Sequence, residues 1–320
     1  MDHTAPDDLL KPFSYLTSNP GKNIRDILIN SFSVWLPLPP SHLTSITSII
    51  SSLHSSSLLI DDIEDSSLLR RSQPCAHLVF GIAQTINTSN YVYFIALNEV
   101  LELEKMGGGG VMEDFVNEIT RLHRGQGYDI LWRDTLQIPS LPSYFTMVKD
   151  KTGGLFRMAV RFMGSCSGRK EDLEELLGLC DDLAVYFQVR DDWINLAGEE
   201  YQAKKGYAED IEEGKFSYPI VLYLNDPSTT KKDQLLNILK QRTRDVELKK
   251  YAVKILDESG FLEKAREKCI LVKSQISQRI TKLGGNEILE GLMSKLEEQI
   301  EKEEGKKVAK LEGYKRVEST

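Results

Sequence analysis

Residues 41–65 read SHLTSITSIISSLHSSSLLIDDIED. Leu43, Ile46, Ile50 and Leu53 recur at three- and four-residue spacing, which predicts an amphipathic helix over the whole stretch. Its last turn carries Asp61 and Asp65, four residues apart and therefore on one face. Two carboxylates so placed suit magnesium, which takes one or two of them and completes its shell with water and phosphate oxygens. An acid cluster on a helix is more often a solvated face, so the surroundings must decide. Ser57 occupies the next inward position after Leu53, with Ser56 beside it. Small residues there predict either open space beneath the acidic turn or the close approach of another helix.

Outward from this segment the apolar period stays helical. Helices are expected over 24–36, 87–104, 113–131, 143–165, 171–197, 216–224, 231–256, 260–282 and 286–304, with breaks at Pro37 to Pro40, Gly107 to Gly110 and Pro139 to Pro142. Strand alternation is almost absent, no repeat period appears, and no long linker divides the chain. The expectation is an all-α protein with one domain over 1–320, in which 1–20 and the mixed-charge tail 305–320 are peripheral.

The chain has 320 residues, 41% of them hydrophobic and 28% charged, enough apolar material for a sizeable core. Its net charge of −8 argues against nucleic acid as the main partner, because phosphate binding is led by a basic face. Cys75, Cys166, Cys180 and Cys269 form no Cys-x-x-Cys pair, so neither a disulfide framework nor structural zinc is expected. The first residues, MDHTAPDDLL, lack the features of a targeting peptide, and no uninterrupted apolar stretch approaches bilayer length. These features together predict a cytoplasmic protein without a membrane span.

A second acidic cluster lies in AVYFQVRDDWINL, where Asp191, Asp192 and Asn195 follow an apolar stretch that penalises bare charge. Basic residues that can answer anionic ligands occur at Lys22 and Arg25, Arg70 and Arg71, Lys151, and Lys205 and Lys215. PGKN (20–23) is not a nucleotide loop, since position 16 is Leu and Asn23 replaces the hydroxyl residue. No HExxH and no nucleophile–base set is evident among only five histidines.

The segments PGKNIR (20–25), LLIDDIEDSSLLRR (58–71), TINTSNYVYF (85–94), LHRGQGYDILWRD (122–134), MVKDKTGGLFR (147–157), FQVRDDWINL (187–196) and KGYAEDIEEGKFSYPIV (205–221) together resemble the all-trans isoprenyl diphosphate synthases, in particular the geranylgeranyl diphosphate synthase branch of fungi and animals. The resemblance implies one helical bundle around a deep central cavity, working as a homodimer or higher homo-oligomer. It implies condensation of isopentenyl diphosphate with an allylic diphosphate after magnesium-assisted ionisation. By it, Asp61, Asp65 and Asp191 would hold Mg2+. Lys22, Arg25, His54 and Arg71 would bind isopentenyl diphosphate. Arg70, Lys151, Thr152, Gln188, Lys205 and Lys215 would bind the allylic diphosphate, with Lys151, Thr152 and Gln188 near the carbocation. Ser56 and Ser57 would leave room for the growing chain, and Tyr93, Phe94 and His123 would floor it, although aromatic residues at helical spacing are as often ordinary core. The sequence departs from the pattern at Ser72, where Gly is usual, at Trp193, where Tyr is usual, and at Asn195, where many relatives have Asp. Alternatives are a farnesyl or longer product, a class I terpene cyclase, or a non-catalytic subunit. The cyclase's second motif fails at Asn225-Asp226-Pro227, and a non-catalytic chain generally loses an acidic motif.

Overall fold

Helices account for most of the described backbone. The computed structural model describes residues 8–19, 21, 23–169, 171–198 and 207–305 with side chains, and residue 7 and residues 306–318 as backbone. The first helices are α1 (Lys11–Thr17), α2 (Ile24–Phe32), α3 (Pro40–Glu64), α4 (Ala76–Phe80), α5 (Ile82–Lys105) and α6 (Val111–Thr135). They are followed by α7 (Leu141–Lys151), α8 (Gly154–Ser167), α9 (Leu173–Ala197), α10 (Glu209–Glu213) and α11 (Tyr218–Asn225). The last are α12 (Lys232–Gln241), α13 (Val246–Glu258), α14 (Phe261–Lys282) and α15 (Glu287–Glu318). Among the described residues the only strands are β1 (Leu69–Arg70) and β2 (Gln73–Pro74), an antiparallel pair in which Leu69 faces Pro74. The expected all-α class holds.

Two expected helices are each divided. The 143–165 segment breaks after Lys151, where Thr152 ends α7 and Gly153 precedes α8. The 231–256 segment breaks at Arg242, whose φ is +47°, and restarts where the Asp245 carboxylate accepts the N–H groups of Glu247 and Leu248. That side chain satisfies donors a helix N-terminus leaves open, so it starts a new helix within an unbroken apolar rhythm.

The chain forms two compact units, Met1–Arg124 with Gly153–Asp181, and Gly125–Thr152 with Asp182–Thr320. In the first, α3 packs along α5 and also meets α2 and α8. Ile46, Ile49, Ile50, Leu53 and Leu59 of α3 and Val92, Ala96, Val100 and Leu103 of α5 are buried, each large side chain contributing roughly 1.5–3 kcal/mol. Pro40 opens α3 at a position where its missing N–H costs nothing. By length and composition α3 is the one described helix able to cross a bilayer, although it has no uninterrupted apolar run of that length and its buried Ile and Leu side chains lie in this unit's core. In the second unit α11 packs on α7 and α14, and α14 on α13 and α15.

Candidate active site

In the first unit the acidic end of α3 is followed by the β1–β2 hairpin. Arg71 and Ser72 form its turn with φ of +54° and +64°, the doubly left-handed geometry of a type I′ hairpin. That conformation is the physical reason glycine suits position 72. The turn carries Arg70 back to the helix, where its Nε donates to Asp62 Oδ1 (2.7 Å) and its Nη2 to Asp62 and, at 3.3 Å, to Asp61 Oδ2. Burial opposes the Arg70 charge, yet Asp62 and Asp61 outweigh it and hold the guanidinium protonated more firmly than usual. Arg70, assigned by resemblance to a diphosphate, therefore rests on carboxylates. Asp62 is buried and its Oδ2 has no partner, while Asp61 and Asp65 are half-buried.

Arg71 bonds the Asn19 carbonyl, and Asn19 Nδ2 donates to the Arg71 carbonyl at 3.0 Å. A Cβ on Gly21 would stand 3.0 Å from the Arg71 guanidinium, so glycine permits this approach. Burial and the neighbouring Arg71 push Arg25 down to about 10. Burial, then Arg25, Arg71 and Arg70, hold the His54 imidazole well below its ordinary range. Arg25 Nε is buried without a hydrogen-bond partner. The Arg25 and Arg71 guanidiniums and the His54 imidazole thus lie near one another; Lys22 lies outside the described residues.

The chain-length positions separate. Ser56 is fully buried, donates to the Ser89 carbonyl at 2.7 Å, and receives at its own carbonyl a 2.9 Å bond from Ser89 Oγ. It joins α3 to α5, which corrects the expectation of open space there. Ser57 is half-buried and bonds only one turn back, to the His54 carbonyl at 2.8 Å. Tyr93 is half-buried, and burial with the Glu64 and Asp61 charges raises its phenol strongly. Its ring lies 5.7 Å from that of His123, which is itself exposed. Phe94 is 64% exposed and cannot floor a cavity within this unit, because adjacent residues of a helix point about 100° apart.

In the second unit Asp192 is the hub. Its Oδ2 accepts from Tyr144 Oη (2.6 Å) and the Tyr218 N–H (2.7 Å), and its Oδ1 from Gln188 Nε2 (2.8 Å) and Lys215 Nζ (3.0 Å). Thr152 Oγ1 donates to Gln188 Oε1 at 2.9 Å, extending the chain. Lys151 Nζ donates to Asp129 Oδ2 at 2.6 Å, and a Cβ on Gly125 would stand 2.4 Å from the Lys151 nitrogen, so only glycine lets α6 touch α7 here. Asp129 is held below the usual carboxylate range by Lys151 and Lys215 against its burial. Burial pushes Asp210 up to about 7, with Asp192 and Asp191 adding to the rise and Lys215 opposing it. Lys215, 3.4 Å from Asp210, keeps its proton well above the ordinary range, since Asp192, Asp210 and Asp129 outweigh its burial.

Asp191 is exposed. Asn195 is buried and its Oδ1 accepts the Asp210 N–H at 3.1 Å, so it serves the chain rather than a metal. Trp193 is buried, as core. Lys205 lies outside the described residues. Asp62, Asp129, Tyr144 and Asp210 were not among the expected site residues, and Asp192, part of the second acidic cluster, carried no expected role. An acid inside GQGYD was a signal for Asp129, whereas nothing near Tyr144 in sequence pointed to Asp192.

No group of three or more His, Cys, Asp or Glu among the described residues forms a metal cage. Asp61 and Asp65 share one helical face in the first unit, and in the second unit Asp191 is exposed; each offers carboxylate oxygens, the ligand type a hard cation takes. The polyprenyl synthetase profile matches residues 6–256, spanning parts of both units and both acidic clusters. The chain belongs to the polyprenyl synthetase family. Among relatives of this family member, a geranylgeranyl pyrophosphate synthase of Dictyostelium discoideum is 44% identical over 90% of this chain and 93% of its own. One from Aspergillus fumigatus is 46% identical over 89% of this chain and 79% of its own. A protein of Matsumurasca onukii called terpene synthase is 43% identical over 92% and 95%.

Proposed function

We propose that this polyprenyl synthetase is a geranylgeranyl diphosphate synthase, which condenses isopentenyl diphosphate with an allylic diphosphate. The observation that carries the reading is the gathering of Arg25, Arg71 and His54, with a buried Arg25 Nε still open to an acceptor. Like charges held together in a partly buried place are costly, and a diphosphate relieves that cost with paired oxygens. A diphosphate-ionising cyclase needs only its allylic site; a second diphosphate pocket, separate from the acidic turn, serves a condensing enzyme.

In this reading Arg25, His54, Arg71 and Lys22 hold isopentenyl diphosphate. Asp61, Asp65 and Asp191 hold Mg2+, which when bound neutralises the allylic diphosphate and weakens its bond to carbon. Lys151 and Lys215, parked on Asp129 and on Asp192 with Asp210, exchange those partners for the leaving diphosphate, aided by Arg70 and Lys205. Thr152 donates its hydroxyl hydrogen to Gln188 Oε1, so its oxygen remains an acceptor, the polarity that favours a carbocation. The isopentenyl double bond is the attacking group, so no side-chain nucleophile is needed and exclusion of water matters most.

The chain acts as one domain in this reading, since the matched segment runs across the boundary between the units. A homo-oligomer is supported by Ile82, Ile86, Phe94 and Leu101, which leave an apolar stripe exposed on α5. No disulfide joins the four cysteines, as suits the reducing cytoplasm.

The test is to incubate the purified chain with magnesium, isopentenyl diphosphate and, separately, dimethylallyl, geranyl or farnesyl diphosphate, and to identify products by mass spectrometry. A twenty-carbon diphosphate is expected. The terpene synthase among the relatives favours a second reading, and a hydrocarbon product without consumption of isopentenyl diphosphate would establish it instead.

A further inference from the structure

The matched family segment ends at residue 256, before α14 and α15, yet these two helices hold one flank of the helix that bears the second acidic pair. Arg190 precedes Asp191 on α9 and is buried. Two residues from Asp192, it lies about 200° around the helix, on the side away from the hub. Its Nε donates to the Leu296 carbonyl (3.3 Å) and its Nη2 to Gln299 Oε1 (2.5 Å), both on α15. Both acceptors are neutral. A guanidinium withdrawn from water onto neutral acceptors is tolerated only while those bonds are made, so the contact resists displacement. Two turns upstream on α9, Asp182 accepts from Arg279 Nε of α14 at 2.6 Å. Between these ties Tyr186 is buried with its hydroxyl unpartnered. The other flank is held through Asp192 by Tyr144, Tyr218 and Lys215.

We propose that Arg190 is a positioning residue: by fastening α9 to α15 it sets the rotation of α9 about its axis, and so the aim of Asp191 and Gln188. The C-terminal helices are then a working part of the diphosphate and metal site. The inference rests on the reading of Asp191 and Gln188 given above.

The test compares Arg190→Met, Arg190→Lys and Gln299→Leu with the unaltered chain, by calorimetry of magnesium pyrophosphate binding and by steady-state kinetics. Arg190→Met is expected to raise the magnesium concentration for half-saturation and the KM for the allylic diphosphate about 10-fold, the scale of an outer-shell loss, with the KM for isopentenyl diphosphate unchanged. Gln299→Leu should shift the same two quantities less, and the double variant should be no worse than Arg190→Met, since both remove one contact. Arg190→Lys, which keeps charge but loses the fork, should fall between. A purely structural role would lower Tm and leave magnesium and allylic dependence unmoved, which overturns the proposal. If Arg190→Met does not fold, Gln299→Leu decides alone, and an unshifted half-saturation overturns it. An unaltered chain that binds magnesium pyrophosphate but makes no prenyl product removes the functional reading and leaves this inference to the binding ratio. One that does not bind it removes both.

Discussion

The two acidic pairs, Asp61–Asp62 in the first unit and Asp191–Asp192 in the second, look alike and are held differently. In each the second aspartate is buried and the first is more accessible. Asp62 is held by Arg70, a hairpin away, and one of its oxygens has no partner. Asp192 is met by four donors, drawn from α7, α9 and the chain leading into and starting α11. A buried carboxylate must be paired: Asp62 takes its donor from a local hairpin, whereas Asp192 draws donors from distant segments.

The largest expected effect tests that asymmetry. Asp192→Ala removes all four bonds and leaves Lys215 with Asp210, so it should cost about 3–5 kcal/mol in urea unfolding. Asp62→Ala should cost about 1.5–3 kcal/mol, since Arg70 keeps Asp61 and is partly hydrated. Equal losses would break the comparison.

The accessible members should behave in the opposite way. Asp61→Ala and Asp191→Ala should each lower kcat about 10²–10³-fold, judged by the loss of a single electrostatic group. Their unfolding free energies should stay within about 1 kcal/mol of the unaltered chain. Near-normal turnover at saturating magnesium would remove their metal role.

The serines beneath Asp61 sharpen the contrast further. Ser57→Phe should shorten the product without large destabilisation, whereas Ser56→Phe, forced between α3 and α5, should destabilise by about 1–3 kcal/mol. Tyr93→Ala should lengthen the product and Phe94→Ala should not, as mass spectrometry of the products will tell.

The gentlest effect is a pH slope. Asp210 binds its proton more tightly folded than unfolded, so stability attributable to it should fall as pH rises from about 4 to about 7. Asp210→Asn should flatten the stability profile across that window, read from urea midpoints; an unchanged slope would show that another group sets it.

Much of this was legible from residue order alone. The apolar period of α3 announced its helix, and the i, i+4 acids at its end announced a shared face. The break between α7 and α8 was not legible, because Lys151, Thr152 and Gly153 interrupt no apolar rhythm. Tyr93 and Phe94 are adjacent aromatics in sequence, yet α5 leaves one half-buried and the other exposed.

By itself the sequence determined the all-helical class, most of the helices, the two acidic clusters and the family, because helical period, turn residues and motif spacing act over a few neighbouring residues. Only the tertiary structure decided which aspartate of each pair is buried, that Ser56 knots two helices while Ser57 does not, and that Lys151 and Lys215 rest on carboxylates. Those outcomes depend on partners tens of residues away, and the cost of burying an unpaired charge or hydroxyl selects among them only once the helices have packed.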